Sequence, residues 1–316
     1  MVSGTNSYID RRRSVKQPNS NDRKIFIPLV KATFLKRNKR NKMKIDFISD
    51  LHIDHHINPS SNEVKINKFI SHLLPEEPAD ILIIAGDLGH YNEQNIKFLK
   101  ALKKFYNLIL YTAGNHELYL TSKKQQEKYH WNSFNRLSEL QNMIAEIEGI
   151  EYMNGQTVDI DGFTISGFPG WYDIGKDFEC WKNYSNDPRA ILEGYPIVLP
   201  YSSERHITFE TDDYFQLQLE ILKNISFVDL LFSHVPMIEI PDYIIKNDYI
   251  EDEGNKFYFQ QKGGIDLIKG RCKNYIFGHI HDMYDFTLNG IDIFCNPFGY
   301  PSESRGKNKK IVGIDF

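Results

Sequence analysis

Seven side chains able to bind hard or borderline cations stand in five short blocks of this chain. Asp50 and His52 flank Leu51, and Asp87 follows Gly86. Asn115 lies in Gly114-Asn115-His116-Glu117, and His234 in Ser233-His234-Val235-Pro236. His279 and His281 flank Ile280 after Gly278. A carboxylate and an imidazole two residues apart can turn to one centre if the chain leaves a strand between them. Asp87 can bridge two cations, since each carboxylate oxygen can take one, and Gly86 permits a sharp exit and close approach of backbone. The Asn115 oxygen is a neutral hard ligand. His-x-His presents two imidazoles on one side of an extended chain, a spacing suited to chelation. Singly, each block has an ordinary explanation: a turn aspartate, or a surface or core histidine. Five of them in order is a pattern those explanations do not produce.

The elements that must position these groups are visible as short apolar runs, one ahead of each block. They are Met43–Ser49, Asp80–Ala85, Asn107–Thr112, Val228–Phe232 and Asn274–Phe277. Continuous runs of this length suit strands covered on both faces. Between the first three lie helical stretches near Val64–Leu74 and Glu93–Phe105. In the second, Ile96, Leu99 and Phe105 fall near one face. The alternation predicts an α/β sheet with right-handed crossovers. The blocks then sit at the C-terminal ends of strands, where open α/β sheets build their sites. One long amphipathic helix is expected over Ser122–Glu148, capped at Thr121 and stopped at Gly149. Short strands follow across Glu151–Gly167 with a turn at Asp161-Gly162, then a helix near Tyr214–Lys223. Further strands are expected at Asp285–Leu288, Asp292–Cys295 and Lys310–Ile314. There is no internal repeat.

Composition narrows the class. The 316 residues are 41% hydrophobic and 25% charged, ordinary for a soluble globular protein of one large domain. There is no apolar run of the roughly 18 residues that a membrane helix needs and no secretory leader pattern, which predicts a cytoplasmic protein. Residues 1–42 carry twelve Lys and Arg against two acids, so the remainder is strongly acidic. An acidic body argues against broad electrostatic binding of DNA or RNA. Residues 1–24 are polar and basic and read as disordered. Residues 1–42 read as an extension outside a catalytic unit that begins near Met43, with a nucleic-acid-binding arm as the other reading. Three cysteines and no Cys-x-x-Cys exclude a disulfide framework and a zinc-thiolate site.

Taken in order, the blocks resemble the calcineurin-like metallophosphoesterase superfamily. Its motifs run Asp-x-His, Gly-Asp, Gly-Asn-His-Asp/Glu, Gly/Ser-His and Gly-His-x-His. The resemblance covers residues 43–316 and no motif ligand is missing. It implies a four-layer α/β/β/α sandwich of two mixed sheets flanked by helices. It further implies two divalent metal ions, the first on Asp50, His52, Asp87 and His281, the second on Asp87, Asn115, His234 and His279. Imidazole and oxygen donors without thiolate suit Mn, Fe, Zn or Ni. The implied reaction is hydrolysis of a small phosphomonoester or phosphodiester by a metal-bridging hydroxide. His116 would act as general acid or as a donor to the phosphoryl oxygens.

Other residues remain open between two readings. His90 stands three positions after Asp87, where the DNA-repair nuclease branch also has a histidine near substrate; a helix-start or surface histidine is the plainer account. Residues 168–215 form an aromatic insertion with Trp171, Tyr172, Phe178, Trp181, Tyr184, Tyr195 and Tyr201. Trp171 and Tyr172 could stack a base or line a cleft, or pack onto the core or a partner subunit. His55 and His56 read as solvated. Two further function classes compete: a nuclease, favoured by His90 and the basic arm, and a metal-binding interaction module without turnover, which the complete ligand set opposes. Motif and fold stop at reaction class and name neither substrate nor oligomeric state.

Overall fold

The run Ile81–Ala85 is apolar at every position because it is a strand with two covered faces. Ile81, Ile83 and Ala85 meet a second sheet, while Leu82 and Ile84 meet helices. This is a computed structural model, and it describes residues 43–175, 178–194, 208–242, 244–245, 264–304 and 309–316. The basic extension 1–42, with Tyr195 and Tyr201, lies outside the described residues.

The strands in chain order are β1 (Lys44–Ile48), β2 (Ile81–Ala85), β3 (Leu108–Thr112), β4 (Ile150–Tyr152), β5 (Thr157–Ile160), β6 (Phe163–Phe168), β7 (Val228–Ser233), β8 (Cys272–Phe277), β9 (Tyr284–Leu288), β10 (Ile291–Cys295) and β11 (Val312–Asp315). The helices are α1 (Ile53–His56), α2 (Glu63–Leu73), α3 (Asn92–Leu102), α4 (Lys123–Lys128), α5 (Ser133–Ala145), α6 (Phe178–Tyr184), α7 (Asp187–Ala190), α8 (Thr211–Asn224), α9 (Gly264–Ile268) and α10 (Pro301–Ser304). One sheet has the order β11-β1-β2-β3-β4, the other β5-β6-β7-β8-β10-β9. In the first, only β11 is antiparallel to its neighbour. In the second, β6, β7, β8 and β10 run parallel, with β5 and β9 antiparallel at the edges.

The layers follow from side-chain alternation. Ile45, Phe47, Ile83 and Leu110 pack against Ile165, Leu230, Phe232 and Ile276 between the sheets. The outer face of the first sheet takes Ile66 and Ile70 of α2, Phe98 and Leu99 of α3, and Leu140 of α5. The outer face of the second takes Ile221 and Leu222 of α8 together with Trp171, Tyr172 and Trp181. The result is the expected α/β/β/α sandwich of two mixed sheets. Among the described residues no helix is long and apolar enough to cross a membrane.

The single helix expected over Ser122–Glu148 is instead two, α4 and α5. His130 (φ 54°) and Trp131 (φ 52°) are both left-handed, and consecutive left-handed residues cannot continue a right-handed helix. Ser122 rather than Thr121 caps α4, and Asn132 caps α5 by accepting from the Phe134 N–H at 2.9 Å. The insertion ties down the break: Ser133 N–H donates to Leu192 O at 2.8 Å and Gly194 N–H to Trp131 O at 2.7 Å. The turn at Asp161 (φ 53°) and Gly162 (φ 89°) forms as expected, joining β5 to β6.

The two sheets close on one another at their C-terminal edges. Ser49, after β1 of the first sheet, forms a parallel bridge with Pro297, after β10 of the second. A Cβ at Gly278 would lie 2.5 Å from Ala85 O, so only glycine allows this approach.

Candidate metal centre and its supports

All seven expected ligands leave the ends of β1, β2, β3, β7 and β8 and converge between the sheets. Four of them occupy left-handed backbone: Asp50 (φ 52°), His52 (φ 40°), Asp87 (φ 54°) and His279 (φ 69°). For a residue with a Cβ this costs about 1–2 kcal/mol, and strain of this kind persists where the surroundings impose it. Backbone bonds do so here: Asp50 N–H donates to Gly86 O at 3.1 Å, and His52 N–H to Asp87 O at 3.0 Å. His279 N–H donates to the Asp50 carboxylate at 3.0 and 3.1 Å. Gly114 provides room, since a Cβ there would meet Asp87 Oδ1 at 2.1 Å.

The donor atoms face one another. His52 Nε2 lies 3.1 Å from His281 Nε2, which is 3.5 Å from Asp50 Oδ1. His234 Nε2 lies 3.1 Å from Asn115 Oδ1, 3.3 Å from His279 Nδ1 and 3.4 Å from Asp87 Oδ2. Asp87 Oδ2 is also 3.8 Å from His52 Nε2, so one oxygen faces both groups. Its Oδ1 accepts the His116 N–H at 2.9 Å. Of the two oxygens, Oδ2 is therefore the one that faces both imidazoles.

Charge in the bare centre balances internally. Burial disfavours the Asp50 and Asp87 anions, but the surrounding imidazoles outweigh it and hold both below the usual carboxylate range. Burial likewise opposes the charged forms of His234 and His281. Asp87 nevertheless lifts His234 to about 9, and Asp50 with Glu303 lifts His281 to about 10. Burial prevails at His52 and His279, which fall to about 4 and about 3. Two carboxylates thus face two imidazoliums and two neutral rings.

The residues fit divalent cations. His234 Nδ1 donates to Ala85 O at 2.9 Å and His281 Nδ1 to Glu303 Oε2 at 2.7 Å. Each bond fixes the outer nitrogen and turns Nε2 inward, as histidine ligands require. Asp50, His52 and His281 form one cluster of potential ligand atoms, and Asp50, Asp87 and His234 another. The donors are imidazole and oxygen, and none is a thiolate.

His116 lies beside the candidate ligands, within ligand reach of His52 and Asp87, and has further partners of its own. Its Nε2 faces the centre, 3.8 Å from Asp87 Oδ2 and 3.3 Å from the Tyr300 hydroxyl. Its Nδ1 lies 2.8 Å from His90 Nε2, and His90 Nδ1 lies 2.8 Å from Asp54 Oδ2. His90 is buried rather than at the surface, with its ring beside that of His116.

Groups outside the candidate ligand set hold the loops. Glu117 is fully buried and accepts four backbone N–H bonds: Asp87 at 3.0 Å, Leu88 at 2.8 Å, Gly89 at 3.1 Å and Gly114 at 2.6 Å. Burial and the Asp87 carboxylate push its carboxyl above the usual range, while the N–H donors and Arg136 oppose that rise and favour the anion. Arg136, also fully buried, donates to the carbonyls of Gly89, His116, Glu117 and Tyr119 at 2.8–3.0 Å. Tyr300 stacks on His52 with centroids 4.4 Å apart. Glu117 stands two positions after Asn115 in the third block, which was a usable signal; Arg136, Glu303 and Asp54 carried none.

Trp171 and Tyr172 are 1% and 3% exposed, stacked on each other, with Trp171 Nε1 donating to Thr211 Oγ1 at 2.8 Å. No ring face is left for a base. Of the two expectations for this pair, packing onto the core describes it and substrate stacking does not. His56 is not simply solvated: its Nε2 lies 2.9 Å from Gly299 O and its ring stacks on Phe69.

The sequence profile of the family described as Calcineurin-like phosphoesterase matches residues 43–283. An uncharacterised protein of Acanthamoeba polyphaga mimivirus is 25% identical over 276 residues, covering 83% of this chain and 93% of its own length. The crystal structure of phosphopantetheinyl hydrolase from Mycobacterium tuberculosis shares the fold, with a TM-score of 0.62 and 19% identity over 86% of this chain and 96% of that one. A Thermus thermophilus protein of solved structure is 13% identical with a TM-score of 0.48, over 87% of this chain and 99% of that one.

Proposed function

The chain belongs to the calcineurin-like phosphoesterase family and is a phosphoric ester hydrolase, and from that premise we propose that it works with a dinuclear centre on a small phosphomonoester or phosphodiester. Asp50, His52, Asp87 and His281 would hold the first cation, and Asp87, Asn115, His234 and His279 the second. The observation that carries this reading is the position of Asp87 Oδ2, 3.8 Å from His52 Nε2 and 3.4 Å from His234 Nε2, between the two groups. When bound, two divalent cations of the Mn, Fe, Zn or Ni type hold the phosphoryl oxygens and acidify the attacking water.

His116 handles the proton of the leaving oxygen. Asp54 accepts from His90 Nδ1, so His90 Nε2 is an acceptor in the neutral ring, and His116 Nδ1 must supply the hydrogen between them. His116 Nε2 then carries a hydrogen only when the pair holds one proton more than two neutral rings. Burial and the neighbouring His52, His90 and His234 imidazoles push His116 well below the usual histidine range, so its own ring holds one proton at a time. In that state His116 Nε2–H donates to the leaving oxygen while His90 returns a proton to Nδ1. The hydrogen-bonded line Asp54–His90–His116 supports this role, and it gives His90 a part behind His116 rather than against a nucleic acid.

The test is Mn-dependent hydrolysis of bis-p-nitrophenyl phosphate against p-nitrophenyl phosphate. A panel of cyclic nucleotides, single-stranded DNA and a phosphopantetheinyl ester follows. Turnover of a small ester with no turnover of DNA is the expected result. No turnover with Mn, Ni, Fe or Zn would return the protein to a metal-binding module.

A further inference from the structure

We propose that Asp187, in the aromatic insertion, is a positioning residue for the second cation: its carboxylate sets which end of the Asn115 amide faces the centre. The inference rests on the dinuclear reading above and adds to it a residue outside the family motifs.

An asparagine ligand has an ambiguity that an aspartate lacks. Its two ends are similar in size and opposite in polarity, and only the oxygen can meet a cation. Something must hold the NH₂ away. Asn115 Nδ2 donates to Asp187 Oδ1 at 2.9 Å and to the Tyr119 hydroxyl at 3.0 Å. Both amide hydrogens are thereby used, and Oδ1 is left facing His234 Nε2 at 3.1 Å. The turned amide would set its oxygen 2.9 Å from a carboxylate oxygen, a contact of two acceptors.

Asp187 is itself held from several sides. It is 2% exposed. The Tyr119 hydroxyl donates to Oδ1 at 2.5 Å and the Tyr172 hydroxyl to Oδ2. Tyr172 in turn accepts from Trp181 Nε1 at 2.6 Å. Both phenol protons point at the carboxylate, so Tyr119 has only its lone pair to offer Asn115, and the amide has one allowed orientation. The backbone agrees: Asp187 N–H donates to Ser185 Oγ at 3.1 Å, and Leu120 N–H donates to Ala190 O at 2.8 Å, fastening α7 to the loop beyond His116. The buried aromatics therefore acquire a purpose. Tyr172 and Trp181 form the wall that keeps Asp187 dry and aimed, which is why they are packed away from any substrate.

The experiment measures stepwise Mn binding by calorimetry and bound-metal analysis on the full chain, wild type against Asp187→Ala, Asp187→Asn and Tyr119→Phe. Circular dichroism and thermal melts confirm that each variant is folded. Loss of an outer partner weakens metal affinity by about 10- to 100-fold. Asp187→Ala should show that loss in the second equivalent alone, because none of Asp50, His52 or His281 touches Asp187. Asp187→Asn, which can still turn an oxygen to Asn115, should recover part of it, and Tyr119→Phe should weaken the same equivalent. If Asp187→Ala does not fold, the other two variants decide. Wild-type stepwise affinities in the variants would overturn the inference, as would equal weakening of both equivalents. A wild type that binds fewer than two cations sinks the dinuclear reading and this inference with it. A wild type that binds two but hydrolyses nothing sinks the hydrolase mechanism and leaves Asp187 in place.

Discussion

Replacing Glu117 by Gln should cost more than its conservative appearance suggests. Oε2 of Glu117 takes the N–H groups of Asp87 and Gly114, and Oε1 those of Leu88 and Gly89. An amide keeps one oxygen and turns the other into a donor. Whichever way it is turned, two of these buried N–H groups lose their acceptor and face an NH₂. A hydrogen bond to a charged group is worth about 1.5–3 kcal/mol, so the loss is about 3–6 kcal/mol. Domains have about 5–15 kcal/mol in total, and the variant should be marginal or unfolded without metal. The measurement is urea unfolding of metal-free protein by circular dichroism, with the exposed Glu148→Gln as control. Both backbone loops carry ligands, Asp87 on one and Asn115 on the other, so Mn binding should weaken too. A Gln variant within about 1 kcal/mol of wild type, roughly the net worth of one ordinary hydrogen bond, would refute the stapling argument.

His116→Ala should keep both metals while kcat falls on the order of 10²–10⁴-fold; retained activity in metal-loaded protein would remove His116 from the mechanism. Metal uptake should release protons. His234 at about 9 and His281 at about 10 are protonated in the bare centre at neutral pH, and a cation must displace those protons. Affinity should therefore rise with pH up to about those values, and calorimetry in buffers of different ionisation enthalpy would count the protons; a pH-independent affinity contradicts this. Trp171→Ala should lower stability by about 3–5 kcal/mol, read by denaturant unfolding, because the ring is 1% exposed. A stable variant with only an altered KM would restore Trp171 to the substrate.

The amino-acid sequence alone determined the candidate ligands and the elements that carry them. Each of the five blocks follows an apolar run, and such a run encodes a doubly covered strand locally, through burial on alternating sides. Asp50, Asp87, Asn115, His234 and the His279–His281 pair were legible because each sits at a strand exit beside its own motif. What surrounds them was not legible, because it depends on contacts between residues far apart in the chain. Asp54 meets His90 across 36 positions, Asn115 meets Asp187 across 72, and His52 meets His281 across 229. Helix periodicity ran straight through His130 and Trp131, since the break there is imposed by bonds to Leu192 and Gly194. Trp171 and Tyr172 looked available for substrate because aromatic rings serve cores and clefts equally well. Only the folded chain decides which, by burying them behind Asp187 and leaving the centre ringed by His116, His281 and Tyr300.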